Sequence, residues 1–342
     1  MRFALVTADP AHKAKFRINP FEGDATSFMN WIDVWDGWHL SYEALRTEDL
    51  SYLKQFEVVM MSGHPGHLAD IIRIARYLKD TETVSMFYPE GSAQLYDNSI
   101  NGFHKETYDA WRACDVLSIV EEDKQSYYEA FVDKNTAVRF VHVPLRPEME
   151  SGRFLRPRAH KSIRHCVVYG DNNPNHPMIA LACANKMGMS VTAVEIDRGG
   201  RAVSIAEVFP KLDVRYATKL GCYYFLNLLA QTAIHFYPSE WIGTARQQIS
   251  CAVTGTLCIG SHDCHTQQRL FPPLLSRNIY DIEGMVAAAV DISKMDEEKY
   301  DTFSKWAFQK ASFYGLNLTK QRFVAAVEAG RRCKVHKHSV PA

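Results

Sequence analysis

Residues 234–260, IHFYPSEWIGTARQQISCAVTGTLCIG, read as strand, loop, helix, turn and second strand, a compact βαβ unit with the outline of a phosphate site. The first strand, Ala233 to Phe236, is short and apolar, as a buried parallel strand is. Pro238 stops it ahead of the loop Ser239-Glu240-Trp241-Ile242-Gly243, and the ends of such strands are where α/β sheets hold ligands. Thr244 as N-cap with Gln247 at N3 is a capping-box signature, and Ala245, Ile249 and Ala252 are spaced to face a sheet. Gly255 then closes the helix from the C′ position. Free N–H groups and the positive dipole end favour an anion near Gly243, Thr244 and Ala245, where Arg246 would add a full charge. The same spacing also suits an ordinary crossover with nothing bound, so the rest of the chain has to separate the two.

With 342 residues, 46% of them hydrophobic, and a formal net charge of zero, the chain is long enough for two cores and is no wholly basic nucleic-acid binder. The opening MRFALVTADP holds too short an apolar run for a signal peptide, and nothing later spans a bilayer. The eight cysteines form no CxxC pair and several lie in apolar runs, so they read as reduced core residues of a cytoplasmic protein.

The N-terminal half alternates strands with helices. Phe3 to Val6, Val58 to Met61, Val84 to Phe87, Val116 to Ile119 and Val138 to Val143 read as strands, with helices at 48–55 behind Thr47, at 68–78, and around Tyr108 and Tyr127. This pattern predicts a parallel, Rossmann-like sheet. Between Thr7 and His39 a long polar and aromatic segment carries Trp31, Trp35 and Trp38 among Asp33 and Asp36. It suits either a sugar-binding lid or aromatic elements packed on the core.

Residues 144–165 shift to prolines and cations, including Arg153, Arg156, Arg158, Lys161 and Arg164, and mark the domain boundary as a solvated basic linker or a place for an anionic acceptor. The expected layout is an N-terminal domain at 1–145, a linker at 146–163, a C-terminal domain at 164–330 and a basic, disordered tail at 331–342. The second half restarts with strands at 166–169 and 190–194, a helix at 178–187, and a helix at 220–229 that leads into the opening unit. Helices at 281–292, 296–313 and 319–329 follow.

Two Rossmann-like halves joined after Val141-His142-Val143-Pro144-Leu145 resemble the GT-B glycosyltransferases. Ala113-Cys114-Asp115-Val116-Leu117-Ser118, Tyr237-Pro238-Ser239-Glu240, Thr254-Gly255-Thr256-Leu257-Cys258-Ile259, Leu270-Phe271-Pro272 and the helical pair at 296–329 carry the likeness. The resemblance implies an α/β fold of two Rossmann-like domains facing each other across a cleft. It also implies a nucleotide-sugar donor, such as a UDP- or GDP-sugar, on the C-terminal domain, an acceptor on the N-terminal one, and hexosyl or pentosyl transfer without metal or further cofactor. Donor contacts would come from Ser239, Glu240, Gly243, Thr244, Ala245, Arg246 and Gln248. The family often carries two glutamates seven residues apart where this chain has Glu240 and then Gln248, and Asn172, Asn173 and His176 stand where an Arg and a Lys often face the phosphates. Arg198, Arg201, Lys219 and Arg246 are the cations available instead.

For acid/base work the strand ends of the first half offer Asp9 with His12, and His64 with Glu90, with His67 nearby. His64 is the expected base, because Ser62-Gly63-His64-Pro65-Gly66 directly follows the most apolar strand of that half. His262, Asp263, Cys264 and His265 are metal-capable, but adjacent residues do not readily close a tetrahedral site, and a surface loop is expected there. A saccharide, small-molecule or nucleic-acid acceptor all fit. So do two other functions on the same architecture: a catalytically silent binding subunit and a nucleotide-sugar epimerase.

Overall fold

The computed structural model describes residues 1–15, 29–89, 104–170, 176–194, 205–217, 220–239 and 246–339. They form two compact units, one from the segments up to Pro144 together with the chain from Leu316 onward, the other from Leu145–Gly315.

In the first unit six strands, β1 (Phe3–Thr7), β2 (Trp38–Ser41), β3 (Val58–Gly63), β4 (Val84–Pro89), β5 (Val116–Ile119) and β6 (Ala137–Phe140), pair in parallel in the order β2-β1-β3-β4-β5-β6. Their runs are apolar throughout because both faces are covered. On β1 and β3 the side chains alternate by twos. Ala4, Val6, Val59 and Met61 join the helix Leu68–Leu78 in one core, whereas Phe3, Leu5, Val58 and Met60 join Phe323, Ala326 and Val327 in the other.

The aromatic segment resolves in favour of packing. Trp31 is fully buried in the helix Asn30–Trp35, its ring 4.5 Å from that of Phe323, and Trp38 begins β2. The expected helix at 48–55 behind Thr47 is instead the helix Tyr42–Thr47 and the separate 3-10 turn Leu50–Gln55. Asp49 is the better cap, its side chain accepting from the Ser51 N–H, and the turn buries Leu50 and Leu53.

The C-terminal residues form one helix, Leu316–Ser339, and not a disordered tail from 331. Its passage over the sheet needs Gly330, where a Cβ would come within 2.6 Å of Val116 and 3.0 Å of Val84. Further along, Lys334 is buried, with Nζ 3.2 Å from the Asp115 carboxylate and donating to the carbonyls of Leu78 at 2.8 Å and Thr81 at 3.0 Å. A charge so deeply placed and so fully bonded orders the segment, which composition alone reads as a solvated tail.

In the second unit β7 (His165–Tyr169), β8 (Ser190–Val194) and β9 (Val214–Ala217) form one parallel sheet, and β10 (Ile234–Tyr237), β11 (Leu257–Ser261) and β12 (Leu275–Ser276) another. A parallel bridge between Ser162 and Thr232 ties β7 to β10 at their starts. Strand β9 is absent from the sequence reading because it is a partly exposed edge, with Tyr216 pointing to solvent.

The linker is not a solvated strap. Lys161 is 6% exposed, and its Nζ donates to the carbonyls of Ala230 at 2.9 Å and Thr254 at 3.0 Å, the last residues of two helices. Burial pushes this lysine down to about 7. Arg158 lies over the Tyr300 ring and its N–H donates to Asp301, so the linker's charges serve the unit's own architecture.

Candidate functional site

Each unit presents one candidate face, at the carboxyl ends of its strands. In the second unit β10 ends at Tyr237, and after Pro238 the Ser239 N–H turns back to the Tyr237 carbonyl at 2.9 Å, leaving Ser239 buried. Burial pushes the Tyr237 hydroxyl up, with Arg246 near enough to oppose this. Glu240, Gly243, Thr244 and Ala245, and with them the expected capping box, lie outside the described residues.

The helix runs Arg246–Thr254 and closes as the sequence predicts. Gly255 takes φ of 75°, its N–H meets the Ala252 carbonyl at 3.3 Å, and the Thr256 N–H meets that of Cys251 at 2.9 Å, the Schellman pattern. A side chain at Gly255 would also strike the Ser304 hydroxyl at 2.6 Å.

The first turn of this helix gathers the candidate ligand-binding groups. Gln248 is fully buried and donates from Nε2 to the Cys264 sulfur at 3.3 Å, which directs its carboxamide toward the turn that follows β11. The Oε1 atoms of Gln247 and Gln248 are both buried with no hydrogen-bond partner among the described residues. An unspent acceptor costs stability unless a donor arrives, and a ribose or sugar hydroxyl is such a donor. Arg246, half-buried at the head of the helix, supplies positive charge beside them.

Of the residues at the family's phosphate-facing positions, Asn172 and Asn173 lie outside the described residues, as do Arg198, Arg201 and Lys219. His176 stands just ahead of the helix Pro177–Lys186 in a left-handed conformation, φ 41°, its ring 6.0 Å from that of the exposed Tyr280. The stretch His262–His265 is a turn and a helix start. Ser261 donates to Asp263 at 2.8 Å, and Cys264 is buried as the cap of the helix His265–Leu270. Among the described residues no group of three or more His, Cys, Asp or Glu side chains is placed to hold a metal ion.

The first unit gathers its polar groups at the ends of β1, β2 and β3. Asp9 is exposed and accepts from the Ala11 N–H at 2.9 Å. It does not form the expected pair with His12. The His12 Nδ1 accepts from the Ser41 N–H at 3.0 Å, and its Nε2 faces Glu48 at 3.2 Å without an aligned hydrogen bond. A hydrogen bond from Lys13 holds Glu48 below the usual carboxylate range. Behind them His39 is fully buried with Nε2 2.7 Å from the Thr7 hydroxyl, and burial pushes it down.

His64 directly follows β3 and is exposed. Its Nδ1 accepts from the Gly66 N–H at 3.1 Å, so the neutral ring carries its proton on Nε2 and is a donor there. In this geometry His64 has its Nδ1 lone pair taken and gives a hydrogen bond from Nε2. Glu90, the other expected partner at a strand end, lies outside the described residues. The sequence reading passed over Arg46, Glu48 and Asp70. Only Asp70 left a signal there, three residues after His67 on a helix, the spacing at which side chains meet.

No family model matches the chain, and no curated protein matches it. Solved structures do. An alpha-glucosyltransferase in complex with UDP and a 13-mer DNA is 8% identical, superposes with a TM-score of 0.61, and is covered over 99% of its length by 96% of this chain. A UDP-forming alpha,alpha-trehalose-phosphate synthase from Burkholderia xenovorans is 9% identical at a TM-score of 0.61, with 84% of this chain and 78% of that one aligned. TarM from S. aureus is 8% identical at 0.60, with 81% and 58% aligned. The fold is therefore that of the GT-B glycosyltransferases, two Rossmann-like domains with parallel sheets. Among the described residues no helix is long and apolar enough to cross a membrane.

Proposed function

We propose that the chain is a glycosyltransferase that moves a sugar from a nucleotide-sugar donor to an acceptor hydroxyl. The observation that carries this reading is the start of the helix Arg246–Thr254. There a cation and two buried carboxamide oxygens with no hydrogen-bond partner among the described residues stand on the first turn of a helix that follows a parallel strand of a GT-B fold. The diphosphate of the donor lies against Ser239, residues 240–245 and Arg246, and Gln248 accepts from a donor hydroxyl. Departure of a diphosphate is eased by positive potential fixed in advance, which here comes from the helix end and Arg246. Neighbours of the same fold were solved with UDP, and one with DNA, which supports a UDP-type donor and keeps a nucleic-acid acceptor beside saccharides and small molecules.

The acceptor binds the first unit at the ends of β1 to β3, with His64 donating from Nε2 to a substrate oxygen. Asp9, exposed at the end of β1, is the carboxylate of that face, with Glu90 the second candidate. No divalent metal takes part. Helix dipole and cations neutralise the leaving group, so turnover should be undiminished in EDTA, and complete loss restored by magnesium would overturn this point.

The test is release of nucleoside diphosphate from a panel of UDP- and GDP-sugars, with and without saccharide, glycerol and DNA acceptors. Release that depends on an acceptor supports transfer. Conversion of the donor sugar with no acceptor marks an epimerase. Binding with no turnover across the panel marks a silent subunit.

A further inference from the structure

Two imidazoles stand three residues apart after β3, their ring centroids 5.6 Å from each other, and they are held by different partners. His64 caps the turn Pro65–His67. Pro65 has no N–H, so the cap bond comes from Gly66, and a Cβ on Gly66 would lie 3.3 Å from the accepting Nδ1. A backbone N–H can only donate, so Nδ1 of His64 is a lone pair.

His67 is held in the opposite sense. Its Nδ1 lies 3.2 Å from Oδ2 of Asp70, which is buried. Burial alone would push the Asp70 carboxyl up, but hydrogen bonds from Arg46 and His67 outweigh it and hold it below the ordinary value. An ionised carboxylate only accepts, so Nδ1 of His67 carries a proton. Arg46 comes within 3.5 Å of the same nitrogen, but its guanidinium is committed to Asp70 at 2.7 and 3.1 Å. The His67 ring stacks on Tyr42 at 4.7 Å and 13°, and the Tyr42 hydroxyl donates to the Ser62 carbonyl at 2.7 Å.

We propose that these two rings are locked in opposite tautomers, His64 presenting an Nε2–H donor and His67 a bare Nε2 acceptor, as a recognition pair for an uncharged, hydroxyl-bearing part of the substrate. The role, though not the tautomers, rests on the reading of the first unit as the acceptor half. A hydroxyl gives and takes a hydrogen bond, so one hydroxyl, or two neighbouring ones on a saccharide, satisfies both rings. A carbonyl would satisfy only His64. A phosphate, whose oxygens mainly accept, would likewise satisfy His64 and leave the lone pair of His67 unmet. Asp70 is then a positioning residue, acting on the substrate through His67.

The tautomers are measured directly on the full-length protein labelled with 15N-histidine, by long-range 1H–15N correlation, with His64→Ala and His67→Ala assigning the signals. The expected spectrum shows the Nε2–H form for His64 and the Nδ1–H form for His67. Asp70→Ala should shift only His67, toward a mixture of forms. The same tautomer on both rings, or an averaged signal for both in the wild type, overturns the proposal. Methyl glucoside should move both Nε2 signals and inorganic phosphate no more than that of His64, and a methyl glucoside that moves neither, or a phosphate that moves His67, also overturns it. In transfer assays His67→Ala should lower kcat/KM for the acceptor by about tenfold or more, the loss of one buried hydrogen bond to a ring fixed in place, with donor affinity unchanged. Wild-type kcat/KM in that variant removes His67 from recognition. If no nucleotide sugar is turned over by the wild type, the transferase reading falls, while the spectrum still decides the tautomers.

Discussion

Replacing Lys334 by Met should destabilise the first unit by about 3 kcal/mol, although the residue lies in a stretch whose composition is that of a solvated tail. Lys334 and Asp115 form an ion pair whose side chains are 8% and 2% exposed. Breaking such a pair from one side typically costs about 3–5 kcal/mol, because a charge is left buried and uncompensated. Two features place this case at the lower end. Asp115 keeps donors from the Ser85 N–H at 2.9 Å and hydroxyl at 2.7 Å, and Met fills most of the space of the lysine stem. Against that, the carbonyls of Leu78 and Thr81 lose the ammonium that satisfies them just beyond the helix Leu68–Leu78. For a unit of this size about 3 kcal/mol corresponds to a fall in Tm of roughly 6–12 °C. Calorimetry on the full chain measures it, and adding Asp115→Asn to Lys334→Met should recover part of the loss, since the stranded charge is then gone. A Lys334→Met variant within about 0.5 kcal/mol of wild type, the range of ordinary surface substitutions, would refute the reasoning.

The buried Lys161 predicts a pH dependence of the second unit. Its value falls from an ordinary 10.5 to about 7 in the folded chain, so between those limits the unfolded chain holds a proton that the folded one lacks. Stability should therefore rise with pH across that window, by up to about 1.4 kcal/mol per pH unit for the one proton, and lie at its lowest below about pH 7. Urea midpoints across the window should show this slope, and Lys161→Met should flatten it. Arg246→Ala should weaken binding of a nucleoside diphosphate about ten- to a hundredfold by titration calorimetry, the scale of a charge-assisted hydrogen bond, with Tm nearly unchanged. Gln248→Leu, which keeps the volume but removes the carboxamide, should cost several-fold in the same titration, since a single neutral hydrogen bond is worth about 1 kcal/mol.

Periodicity carried most of the fold. The apolar runs of β3, β4, β5, β7, β8 and β10 are visible because strands covered on both faces must be apolar along their whole length. β9 and β12 escaped for the converse reason, one a half-exposed edge and the other only two residues long. The linker and tail misled because composition counts charges without their surroundings. Lys161 and Lys334 look like solvated cations until long-range contacts supply the carbonyls of distant helix ends. At the site, the strand-to-helix unit at 234–260 was legible from Pro238, Gly255 and the helical spacing between them. The roles of the histidines were not, since a role follows from which ring nitrogen is occupied. For His12 and His64 that depends on the N–H groups of Ser41 and Gly66, whose placement only the folded backbone determines.

Hydrogen–deuterium exchange of the full-length protein, with and without saturating UDP or GDP, tests the central claim most directly. If the donor nucleotide is held at the start of the helix Arg246–Thr254, one of the two nucleotides should slow exchange in peptides spanning 239–254. The effect should vanish in Arg246→Ala, and peptides of β1 to β3 should not change. Protection confined to residues 58–70, or none anywhere with either nucleotide at saturation, would contradict it.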